Sequence, residues 1–191
     1  MGTRTYTMRA RADAAAASRL RVVHAVIDLA AERLVAEITL DDVAERAGVS
    51  VRTVLRHYGD RDGLLDAAIE TATAEVMAER EVHGGRDEAV RVVMAHYEKH
   101  GALSLRLLAQ EDDARMAPVV ADAKRVHREW VEASFAADLP ADPAAREEVV
   151  DLLVVATDVY CWKLLRRDRG QAAPVVEQRM RRLVDLILAG G

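Results

Sequence analysis

The chain has a single cysteine, Cys161, so no internal disulfide can form and a reducing compartment, the cytoplasm, is expected. Aromatic residues are scarce, at 4% with one phenylalanine, and β-branched alternation is almost absent, which leaves a β-sandwich or barrel without a signal. No apolar run approaches the ~18 residues of a membrane span. The alanines at 14–17 are too few and too weakly apolar to form a secretory leader. There is no Gly-x-Ser-x-Gly elbow and no phosphate-cradling glycine loop, so two common routes to an enzyme are missing. No catalytic constellation emerges, and no cofactor is expected.

Lysine is also rare. Only Lys99, Lys124 and Lys163 stand among 27 basic residues, so the positive charge is carried by arginine. The net charge of −5 gives no global sign of a nucleic-acid binder, but it hides an uneven distribution. Up to Arg33 the bases Arg4, Arg9, Arg11, Arg19, Arg21 and Arg33 outnumber the acids Asp13, Asp28 and Glu32. A basic N-terminal arm on an acidic chain is a local electrostatic footprint.

What is abundant is Ala, Leu, Arg and Glu, and the pattern predicts an all-α fold. About nine helices are expected, near 18–34, 40–47, 50–58, 60–82, 87–100, 102–110, 118–136, 143–167 and 174–188. The first carries an apolar stripe at Leu20, Val23, Ile27, Ala30 and Leu34. Thr39 with Asp42 forms a capping-box-like start, and Ser50 suits the N-cap of the third helix. His83-Gly84-Gly85 is the clearest break, Gly101 and Gly170 mark helix ends, and Pro118, Pro143 and Pro174 sit at helix starts.

The stretch AERAGVSVRTVLRHYGDRDGLL, residues 44–65, carries the function. A helix-turn-helix needs a small residue where its helices approach, supplied by Ala44, and a residue tolerant of a left-handed turn, supplied by Gly48. Val43, Ala47, Val49 and Val54 fall where the two helices must pack. If the third helix enters a major groove, Val51, Arg52 and Thr53 meet base edges, with Arg56 and His57 a turn further on. Arg52 or Arg56 suits a bidentate contact to guanine, Val51 a thymine methyl, and Ser50, Thr53 and Arg61 the phosphates. Thr39 is counted with these contacts.

From Ile38 to Leu65 the sequence resembles the DNA-binding domain of the tetracycline-repressor (TetR) family of bacterial transcriptional regulators. The family pattern is met without a gap by Thr39, Leu40, Asp42, Val43, Ala44, Ala47, Gly48, Val49, Ser50, Thr53, Val54, His57 and Tyr58, then by Arg61, Asp62, Leu64 and Leu65. Three positions depart from it. Leu55 replaces a tyrosine that often touches phosphate, Leu34 and Val35 replace a Gly-aromatic pair, and Asp41 replaces an arginine sometimes used on DNA. Tyr58, at the family's phenylalanine position, is read as core.

The resemblance implies two domains: a DNA-binding head at 1–60, and a helical effector-binding and dimerisation domain at 61–191. It implies a homodimer through the last two helices, where Val149–Leu165 is apolar on more than one face. It also implies a palindromic operator, and a small-molecule effector that releases a repressor from it. Met77, Met94, Tyr97, Leu107, His127, Trp130, Phe135, Asp158 and Tyr160 are the bulky or polar residues available to an effector pocket. The helix from Arg61 to about Val82 is expected to couple the two domains. His96 and His100 stand one turn apart as a possible metal clip, but without the HExxH of zinc proteases they read as a solvated pair holding no metal. Cys161 reads as packing.

Overall fold

The structure is a computed structural model that describes the backbone of residues 3–190 and the side chains from Asp13 onward. The side chains of Arg4, Arg9 and Arg11 in the basic arm lie outside the described residues. Among the described residues every regular element is helical. The order is α1 (Thr3–Glu32), a 3-10 turn (Val35–Glu37), α2 (Leu40–Ala47), α3 (Val51–Tyr58), α4 (Arg61–Glu79), α5 (Arg86–Leu108) and α6 (Met116–Ser134). Then come α7 (Pro143–Thr157), α8 (Val159–Lys163), a π-helical turn (Leu164–Asp168) and α9 (Ala173–Gly190). The chain forms two compact units, Met1–Glu75 and Val76–Gly191, and the backbone passes from one to the other within α4.

In the first unit α1 begins far earlier than 18, because the Arg- and Ala-rich segment before it has high helix propensity and no breaker. Its inward face is Val22, Val26 and Leu29 with Val23, Ala25 and Ala30, whereas Leu20 and Leu34 are exposed and Ile27 is half-buried. The Ala- and Val-rich sequence supports two overlapping stripes, and packing against α2 and α3 selects the one offset from the expected register. Val35, Ile38, Val43, Ala44, Val54, Leu64, Leu65 and Ala68 complete the core of this unit.

The second unit is built on α5, whose Ala89, Val90, Val93, Met94 and Tyr97 pack with Trp130 and Val131 of α6, Phe135, and residues of α7, α8 and α9. Two boundaries depart from the sequence reading. Gly101 does not end a helix but sits inside α5, where a Cβ would lie 2.5 Å from the ring of Trp162. The glycine is there for a close approach. Conversely, the expected single helix 143–167 breaks at Asp158, whose backbone is extended and whose carboxylate accepts from the Tyr160 amide at 2.7 Å to start α8. Pro143 takes the first turn of α7 behind the N-cap Asp142, as its missing N–H permits.

The last helices keep apolar residues open in the single chain. Leu152 and Val155 of α7, Tyr160 of α8 and Leu164 beyond it are exposed, as are Val175, Leu183 and Leu186 of α9. Val155 is 68% exposed and Leu186 60%. α7 and α9 also flank an open hollow lined by Ala145, Val149, Leu152, Leu183, Leu186 and Ile187. No helix among the described residues is long and apolar enough to cross a membrane.

Candidate functional site

The head is set by local chemistry. Thr39 accepts from the Asp42 amide at 3.2 Å while the Asp42 carboxylate accepts from the Thr39 amide at 2.9 Å, closing the capping box of α2. Those hydrogen bonds hold the Asp42 carboxyl below the usual carboxylate range, helped by Arg33. α2 ends on Gly48, at φ 66° and ψ 39°, the left-handed conformation that other residues enter only with strain. Val49 then donates to the Ala44 carbonyl at 2.9 Å, turning the chain into α3. Ser50 caps α3 by accepting from the Thr53 amide at 3.2 Å, and the two hydroxyls lie 2.9 Å apart.

Val54 of α3 is fully buried against Val43 and Ala44 of α2, so the opposite face of α3 points outward. That outward face carries Arg52, Leu55 and Arg56, with Val51 and Thr53 half-buried at its start. Arg52 and Arg56 stand one helical turn apart, and no ion pair or hydrogen bond within the described residues engages either.

Four other arginines of the head, Arg19, Arg33, Arg46 and Arg61, are occupied. Arg46 grips Glu32 with two hydrogen bonds at 2.9 and 2.7 Å, and Arg33 reaches Asp42 at 3.2 Å. Arg61 donates to the Ile38 carbonyl at 2.9 Å and the Val35 carbonyl at 2.6 Å, and so braces the start of α4 against the turn after α1. Arg19 donates from Nε to His57 Nδ1 at 3.3 Å, and the Arg19 carbonyl accepts from the Tyr58 hydroxyl at 2.8 Å. The end of α3 is therefore pinned to α1. Burial and the charges of Arg56 and Arg19 push the His57 imidazole below its ordinary pKa.

Leu55 was given no role in the sequence, yet it lies exposed between the two free arginines. The signal was its i+3 spacing from Arg52. Asp41, on the first turn of α2, is also exposed.

In the second unit the structure gathers four of the expected pocket residues around a fifth that the sequence reading missed, Arg80. This arginine is 7% exposed, and no carboxylate forms an ion pair with it among the described residues. Its guanidinium lies 4.3 Å over the Trp130 ring and hydrogen-bonds His127 Nδ1 at 2.8 Å, while its Nε has no partner. His127 stacks on Trp130 and lies 3.3 Å from the hydroxyl of Thr157, whose carbonyl accepts from the Tyr97 hydroxyl at 3.0 Å. Asp158 is near enough to act on Arg80 electrostatically. Burial drives the His127 pKa down to about 4, with the Arg80 charge adding to the shift. Met94 and Phe135 lie in the surrounding core, Leu107 is half-buried, and Met77 and Tyr160 are half-exposed, away from this cluster's interior.

Residues 22–68 match the family described as bacterial regulatory proteins, tetR family. The whole fold is shared with solved structures at low identity. A transcriptional regulator from Rhodococcus sp. Rha1 aligns with a TM-score of 0.68 at 20% identity, covering 90% of this chain and 96% of its own. A tetR-family transcriptional regulator from Streptomyces coelicolor reaches 0.68 at 18% identity, covering 91% and 83%. A TetR-like transcriptional regulator from Rhodococcus sp. RHA1 reaches 0.63 at 19%, covering 91% and 97%. No curated protein matches the sequence significantly.

Proposed function

We propose that this chain, whose residues 22–68 match the tetR family, is a DNA-binding transcriptional regulator of that family, a repressor that binds a palindromic operator as a homodimer and leaves it when a small molecule binds. DNA reading is assigned to residues 1–60, and effector binding and dimerisation to 61–191. The observation that carries the reading is the outward face of α3, where Arg52 and Arg56 are exposed and held by no other side chain. Held arginines elsewhere in the head stabilise it; these two are free to read guanine edges. Leu55 and Val51 supply apolar contacts to thymine methyls, while Thr39, Ser50 and Thr53 lie at helix starts that suit phosphates. Two occupied donors leave Arg61 chiefly a brace.

Dimerisation is supported by the exposed Leu152, Val155, Leu183 and Leu186, since one reading head makes too few contacts for a tight specific complex. The buried cluster around Arg80 is the polar group within an apolar region that an effector site requires. The effector shifts the regulator only by its difference in affinity for the DNA-bound and free forms. We assign the coupling to α4, through which the backbone leaves the head.

Selection from a randomised duplex pool at near-physiological salt tests the proposal. Enrichment of an inverted repeat with half-sites about one helical turn apart supports it. Weak, salt-sensitive binding with no enriched sequence overturns it.

A further inference from the structure

The histidine pair set aside in the sequence is not solvated as a pair. His96 is 6% exposed, because α5 turns it inward, whereas His100 stays partly open to water. The fold also adds a third group. Glu79, the last residue of α4, places Oε2 3.0 Å from His100 Nε2 and 3.8 Å from His96 Nδ1. One ligand atom from each of the three residues lies within 4.8 Å of the others. The two rings are tilted, with centroids 5.1 Å apart.

His96 Nδ1 is buried without a hydrogen-bond partner. A buried polar atom left so calls for an explanation. A surface ion pair between Glu79, Lys99 and His100 accounts for the half-exposed groups but leaves His96 unexplained.

We propose that Glu79, His96 and His100 form a site for a divalent transition-metal ion of the zinc class. The ion is held by one carboxylate oxygen, His96 Nδ1 and His100 Nε2, with a fourth position open to water. Two imidazoles and one carboxylate suit Zn²⁺ and not Mg²⁺ or Ca²⁺, which take oxygen. Ligand bonds of ~2.0–2.2 Å require the three donors to close to roughly 3.3 Å of one another. Glu79 and His100 retain the exposure to make that adjustment, and it leaves a path for the ion. Lys99 hydrogen-bonds the other carboxylate oxygen, Oε1, and fixes the orientation of Glu79 as an outer partner does in metal sites.

Arg80 opposes a cation here, but its guanidinium is turned onto Trp130 and His127. A bound ion would clip the end of α4 to the middle of α5, across the Gly84-Gly85 break. The inference does not depend on DNA binding.

Full-length protein, stripped with EDTA and dialysed, is titrated with Co²⁺ and then with Zn²⁺. The expected result is one Co²⁺ per chain with the visible ligand-field bands of a low-coordinate N/O site, displaced by Zn²⁺, and a higher unfolding temperature in saturating Zn²⁺. Glu79→Gln and His100→Gln alter partly exposed side chains and are checked for folding by circular dichroism. Each should lose the bands and weaken binding by at least about tenfold. Absence of bands in the wild-type chain overturns the site. Bands that survive in both folded variants also overturn it, because the ion then sits elsewhere.

Discussion

Trp130 and Arg80 hold each other twice: the indole N–H donates to the Arg80 carbonyl at 2.8 Å, and the Arg80 guanidinium lies 4.3 Å over the same indole. Backbone and side chain of one residue are thus fixed by a single ring, which keeps a cation in the interior without a carboxylate. A buried charge so held is a weak source of stability. Arg80→Met should therefore be neutral or stabilising by up to ~2 kcal/mol, whereas Trp130→Ala should cost ~3–5 kcal/mol. Urea unfolding of the two variants checks the contrast.

His127 gives the same cluster a pH dependence. Its folded pKa, about 4, lies below the ordinary 6.5. The unfolded chain therefore binds the proton first, and stability is full above about 6.5 and falls as pH drops toward 4. The loss is of order 3 kcal/mol by pH 4. His127→Gln should flatten that limb of the stability curve, measured by denaturant midpoints between pH 7 and pH 4.

The arginines of the head should separate into two kinds. Arg52→Ala and Arg56→Ala should each weaken operator binding by ~1–3 kcal/mol and leave the melting temperature unchanged. Arg61→Ala removes two hydrogen bonds to the Val35 and Ile38 carbonyls and should destabilise the head by ~1.5–3 kcal/mol. Fluorescence anisotropy with operator DNA, paired with thermal melts, tells the two apart. A fall in melting temperature for Arg52→Ala or Arg56→Ala would contradict this division.

Leu186→Glu should leave the fold intact and shift the chain to a monomer, because Leu186 is 60% exposed in the single chain. Sedimentation velocity gives the mass. If the variant sediments as the wild type does, α9 is not the dimer surface.

Two glycines should resist substitution for different reasons. Gly48→Ala meets nothing within 4 Å but must hold φ at 66°, a strain of ~1–2 kcal/mol. Gly101→Ala has an unexceptional helical backbone but drives a methyl into Trp162, an overpacking cost of ~1–3 kcal/mol. Trp162→Phe should relieve part of the second cost and none of the first.

The head was legible because its signals are local. Thr39 with Asp42, Gly48, and Ser50 with Thr53 act within one turn of themselves, so their types and spacing determine the outcome. The bracing role of Arg61 was not legible, for the opposite reason. Its partners, the carbonyls of Val35 and Ile38, are set by packing rather than by its own neighbours. Arg80 could not be read as buried, since arginine usually marks surface and its burial depends on Trp130, far along the chain. Glu79 joined the histidines only once α4 and α5 were laid together. The stripe of α1 shifted because Val22 and Val23 offered two equally apolar registers.

Gly101 and Trp162 have a consequence for comparing relatives. Every single-base change at a glycine codon that yields another amino acid adds a Cβ, and here that atom would land in an indole. Neither position can drift freely while the other stays fixed. Homologues that carry a larger residue at 101 should carry a smaller one at 162, so the two columns of an alignment should covary as a pair, separately from the signal of the helix-turn-helix.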